Sequence, residues 1–118
     1  MNETEINEIV KGNQERNREL LNTLVNKGVT LDESRTIEHH FWANSQSEAA
    51  LLAKELYNRG FLVLAISPIK TNNDSIVWNL EAAIEQAPSS AVSRQVTEEL
   101  TRLAAGFDAI YDGWGTSV

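Results

Sequence analysis

Two β-rich stretches flank the turn cluster TNND, FLVLAISPI at residues 61–69 and SIVWNLEAAI at residues 75–84, and no other feature restricts the fold of this chain as much. Asn and Asp favour chain reversal because their short side chains bond the nearby backbone, so the two stretches are expected to fold back on each other as a hairpin. The second alternates cleanly, with Ile76, Trp78, Leu80, Ala82 and Ile84 on one side and Val77, Asn79, Glu81 and Ala83 on the other. That is the pattern of a strand with one packed and one wet face. The first stretch is apolar on both sides until Pro68.

The flanking segments complete a βαββαβ order. TIEHHFWA, residues 36–43, mixes β-branched and aromatic residues and stops at NSQS, so it reads as a strand. Ser45 and Glu48 have the spacing of a capping box ahead of LLAKELYN, and Gly60 closes that helix. After the hairpin, PSSAVSRQVTEELTRLAAG predicts a helix capped by Ser89 or Ser90, striped by Val92, Val96, Leu100 and Leu103, and ended by Gly106. Residues 108–114 then supply a last strand. Ahead of all this, residues 2–27 read as a helix stopped by Gly28, with Ile6, Ile9 and Val10 on one stretch and Leu20, Leu21, Leu24 and Val25 on another. Its middle, KGNQERNRE, is almost wholly polar and includes Gly12, so the first turns are expected to fray or stand apart from the body.

The expected fold class is therefore α+β, a ferredoxin-like βαββαβ sandwich with an additional N-terminal helix. In that topology two helices cover one sheet face, the first and last strands are neighbours, and the other face stays open for function unless the N-terminal helix folds over it. A chain of 118 residues suits one domain, 1–118, with the N-terminal helix in 1–28 and the ferredoxin-like core in 36–116.

Composition narrows the chemistry. There is no cysteine, which excludes disulfides, thiolate zinc sites and cysteine nucleophiles. The amino terminus, MNETEINEIV, has three glutamates and no basic region, unlike a secretory signal, and FLVLAISPI is too short to span a bilayer. A soluble, cytoplasmic monomer is expected. The net charge of −7 opposes direct binding to nucleic acid and favours Lys/Arg-rich protein surfaces. The RNA-recognition motif shares this element order but displays aromatics within a basic signature, whereas Trp78 here falls on the apolar set.

Consecutive strand residues point to opposite faces, so His39 and His40 cannot ligate one metal together. Ile37, His39 and Phe41 share one face; Glu38, His40 and Trp42 share the other. Two apolar neighbours put His39 under the helices as a hydrogen-bonded core histidine. On the last strand the same alternation gives the sets Ala109/Tyr111/Gly113 and Ile110/Asp112/Trp114. The first suits packing under helices, which leaves Asp112 and Trp114 on the open face beside Glu38, His40 and Trp42. These five are the expected partner-binding residues, because rings set among desolvated polar groups make binding anchors. As an alternative, Glu38, His40 and Asp112 could hold a metal ion or small ligand there. No nucleophile motif, glycine-rich phosphate loop or HExxH spacing accompanies them, so neither a catalytic residue nor a cofactor is expected. Gly113 and Gly115 have a purely structural explanation too, a bulge or close strand approach around Trp114.

TIEHH, at the start of the first strand, and YDGWGT, at the end of the last, closely resemble the RraB family, regulators of ribonuclease E activity. LAAGFDAIYDGWGT is similar to that family's last helix and strand, and the polar N-terminal helix and the helix ending at Gly60 agree with it. The resemblance spans residues 14–116. It implies a ferredoxin-like sandwich and a non-enzymatic protein that binds ribonuclease E, or a similar basic RNA-processing protein, and restrains its cleavage of RNA.

Overall fold

The computed structural model describes residues 1–117. Its elements are α1 (Glu3–Asn26), β1 (Arg35–Ala43), α2 (Gln46–Asn58), β2 (Leu62–Lys70), β3 (Ile76–Gln86), the single turn α3 (Pro88–Ala91), α4 (Arg94–Ala105) and β4 (Ala109–Gly115). The hairpin closes around TNND, where Thr71 N donates to Ser75 O at 2.8 Å. Asp74 takes a φ of 60°, a left-handed conformation that Asp tolerates better than most residues. The sheet runs β2-β3-β1-β4 with every neighbouring pair antiparallel, the order expected of a ferredoxin-like sandwich. β1 and β4 are neighbours, as that topology requires.

α2 and α4 cover one sheet face. Phe41, Leu52, Leu56, Leu80, Ala82, Leu100 and Tyr111 fill the layer between helices and sheet. Ser45 caps α2, its hydroxyl accepting from Glu48 N at 3.2 Å. The expected capping box is only half formed: the Glu48 side chain does not return a bond to the Ser45 N–H, and its Oε2 is buried without a hydrogen bond. The last helix begins later than its sequence pattern implies. Pro88 starts a separate turn, and Ser93, not Ser89 or Ser90, caps α4 by accepting from Val96 N. The buried face of α4 is accordingly Thr97, Leu100, Thr101 and Ala104, rotated from the expected valine–leucine stripe. The reason is a second neighbour: α1 packs beside α4, and Gln14 Nε2 reaches both Val92 O and Thr97 Oγ1.

α1 is the largest departure from expectation. It runs unbroken through Gly12 and is capped by a reciprocal Asn2–Glu5 box. Far from standing apart, it buries Ile6, Val10, Asn13, Asn17 and Leu24 against α4 and β4. Its C-terminal half joins Ile37, Ala91 and Trp114 in a second apolar cluster, with Leu20, Val29, Leu31 and Val92 around it. Because α1 sits beside α4 and along β4, the sheet face opposite the helices remains uncovered.

Candidate functional site

β1 alternates as its sequence dictates. Ile37, His39, Phe41 and Ala43 are buried, while Glu38, His40 and Trp42 are half-buried on the open face. His39 is held at both ring nitrogens, with Nδ1 2.8 Å from the Tyr111 hydroxyl and Nε2 2.6 Å from Gln86 Oε1. An amide oxygen only accepts, so Nε2 carries the proton and Nδ1 accepts from Tyr111. Burial lowers the His39 pKa to about 4; the Gln86 bond opposes this more weakly, and a charge on nearby His40 adds to it. The same burial pushes the Tyr111 phenol far above its ordinary range. His39 is thus a neutral core residue at pH 7.

On the open face, Glu38 lies opposite Ala83, His40 opposite Glu81, and Trp42 opposite Asn79. His40 Nδ1 is 3.7 Å from Glu81 Oε1, an ion pair only when the imidazole is protonated. Toward β4, Trp42 Nε1 donates to Asp112 Oδ2 at 2.9 Å. Arg16 of α1 donates to Asp112 Oδ1 at 3.0 Å and to Asn13 Oδ1 at 2.8 Å. Glu38, His40, Trp42 and Asp112 therefore share one face, and Trp42 and Asp112 touch.

Trp114 does not join them. Simple alternation along β4 would place it outward, yet it is buried, 7% exposed, beneath α1. The register explains why. Tyr111 pairs with Phe41 but Trp114 pairs with His39, so β4 spends three steps where β1 spends two. This bulge carries one extra residue and inverts the parity of everything after it. Gly113 supplies the backbone for it, at φ 95°. The indole then points inward and donates from Nε1 to Asn17 Oδ1 at 2.9 Å.

An alanine methyl at Gly113 would sit 3.1 Å from Asn13 Oδ1 as well as in the left-handed region. Gly113→Ala is expected to destabilise the fold by about 1–3 kcal/mol, read from urea denaturation midpoints. A change within experimental error would remove the bulge as a structural requirement.

Sequence reasoning missed Asn13, Arg16 and Asn17. Their i, i+3, i+4 spacing puts them on one helical face, and that face meets β4: Asn13 Nδ2 donates to Tyr111 O, Arg16 binds Asp112 and Asn17 binds Trp114. The spacing was readable, but the polar partners that bury it were not. Among the described residues, no group of three or more His, Asp or Glu is arranged to hold a metal ion. Glu38, His40 and Asp112 share a face without converging, and Asp112 is turned to Arg16 and Trp42. Among the described residues no helix is long and apolar enough to cross a membrane.

Comparison with known proteins adds a family. Residues 14–116 match the family described as regulator of ribonuclease activity B. A protein of that name from Photobacterium profundum is 31% identical over 112 residues, covering 92% of this chain and 83% of its own length. Its namesake in Escherichia coli is 30% identical over 103 residues, covering 87% of this chain and 75% of its own. One from Shewanella amazonensis is 28% identical over 111 residues, with 94% and 79% covered.

Proposed function

Because this chain belongs to the RraB family, regulators of ribonuclease activity, we propose that it is a non-enzymatic interaction module that binds ribonuclease E, or a similar basic RNA-processing enzyme, and slows its cleavage by covering a surface. The family match across 14–116 is the observation that carries this reading. Charge supports it. A domain with net charge −7 is repelled by RNA phosphates and drawn to the Lys/Arg-rich segments with which a nuclease holds RNA. Regulation then needs no chemistry from the domain itself, only occupancy of a surface the substrate also needs.

Glu38, His40, Trp42 and Asp112 are the proposed contacts. Trp42 offers the large ring surface that anchors interfaces, and Asp112 fixes its indole edge by accepting from Nε1. Trp114, being buried, serves the site by holding β4 against α1. The proposed setting is the cytoplasm, where the enzyme meets its transcripts.

A cleavage assay with purified ribonuclease E tests this reading. The rate is expected to fall as protein is added, and the inhibition to weaken as salt rises above about 0.15 M, where exposed charges are screened beyond roughly 8 Å. An unchanged rate at saturating protein, with no co-purification of the two, would refute it.

A further inference from the structure

β2 is an edge of the sheet, and its exposed aliphatic residues have no role in the core. Leu62 is 63% exposed and Ile69 43%. Leu62 pairs with Ala83 and Ile69 with Val77, so both stand on the open face, in line with Glu81 and Glu85 of β3. Beside Leu62 is a hollow of about 240 Å³ lined by Thr36, Gly60, Leu62, Ala83, Ile84 and Glu85. Its lining combines aliphatic Leu62 and Ile84, small Gly60 and Ala83, and the exposed Glu85, whose carboxylate accepts from the Thr36 hydroxyl and keeps its second oxygen for a partner, while Glu38 is directly across from Ala83 on the ladder.

The charges and backbone irregularities around this hollow select among occupants. Addition of a strand to the β2 edge is disfavoured, because a register shift between Val63 and Ala65 breaks the ladder and Pro68 has no N–H to offer. A second copy of the chain would press Glu38, Glu81 and Glu85 against their counterparts, in a molecule of net charge −7. A cationic segment satisfies both chemistries. The methylene stem of a Lys or Arg would lie on Leu62 and Ala83 while its charged head reached toward Glu85 and Glu38.

We propose that the open face receives a basic, aliphatic-containing segment of a partner protein, and that one of its Lys or Arg side chains fills the hollow beside Leu62. This deepens the regulator reading and rests on it for the partner's identity, while the chemistry of the hollow stands apart. Glu81 and Glu85 are four residues apart on β3, about 13 Å, so an extended segment with cations at i and i+4 fits both.

The test has two arms, each using the whole chain. A synthetic peptide with arginines at i and i+4 and leucines between them is titrated into the protein and mapped by amide chemical shifts. Shifts centred on Leu62, Ala83 and Glu85 are expected, with about tenfold weaker binding when serines replace the leucines. Shifts confined to the helix-covered side, or no binding at saturating peptide, overturn the proposal. In the second arm, Leu62→Ser and Glu85→Lys, both at exposed positions, are expected to keep the wild-type melting temperature and to bind purified ribonuclease E about tenfold more weakly. Equal binding by wild type and variants sinks the hollow and leaves the regulator reading standing. A peptide that maps to the hollow in a protein that ignores the nuclease does the reverse.

Discussion

Replacing Trp114 with alanine is expected to cost about 3–5 kcal/mol of folding stability, seen as a fall of roughly 10–20 °C in melting temperature. The indole is 7% exposed in the cluster with Leu24, Ile37 and Ala91, so its removal leaves a cavity under α1. It also strands Asn17 Oδ1, which accepts the indole N–H at 2.9 Å and is itself nearly buried. An orphaned buried acceptor adds about 1–3 kcal/mol, which puts the loss toward the upper end of the range. Trp114→Phe keeps most of the volume and loses the hydrogen bond, and should fall in between. Trp42→Ala is the contrasting variant: half-buried on the open face, it should lose much less stability and instead weaken partner binding. Equal melting temperatures for Trp114→Ala and wild type would mean that the bulge does not turn the indole inward.

Acidification should produce the second large effect. In the unfolded chain His39 titrates near its ordinary 6.5, whereas burial lowers it to about 4 in the fold. Between those values the unfolded chain binds a proton that the folded one refuses. Stability is therefore fully present above pH 6.5 and falls as pH drops toward 4, by roughly 3 kcal/mol across the window. Below 4 the folded imidazole protonates too and this contribution to the slope ends. Urea midpoints taken across the window measure the loss, and His39→Gln, which takes up no proton, should show a shallower decline. Parallel declines in the two proteins would assign the acid sensitivity to other groups.

The neutrality of His39 illustrates how much the sequence disclosed. Isoleucine and phenylalanine at its i−2 and i+2 positions were enough to turn it inward, because the pleat of β1 is regular from Arg35 to Ala43. The same regularity made Glu38, His40 and Trp42 co-facial. On β4 that logic carried as far as Asp112 and failed two residues later. The signal of failure was present, in Gly113 and Gly115 around the ring, but a glycine permits a bulge without requiring one. What requires it is the coincidence of Asn17 and the apolar cluster waiting on the helix side, which no pattern within β4 contains.

α1 taught a related lesson. Asn13 and Asn17 sit in a run that local composition marks as solvated, yet Asn13 is wholly buried because Tyr111 O and Arg16 satisfy its amide. Burial of a polar side chain depends on who meets it, and its partners here include a strand about a hundred positions away in the chain.

Local chemistry, then, determined the order of helices and strands, the hairpin at TNND, the α+β class, the acidic character and the inward turn of His39, since each follows from forces acting between near neighbours along the backbone. Tertiary structure alone decided that α1 is welded to β4, that Trp114 points inward, that Arg16 holds Asp112, and that a hollow opens beside Leu62. Those outcomes depend on register and on distant partners, and for Trp114 a single extra residue in one strand of a pair is enough to reverse the face it takes.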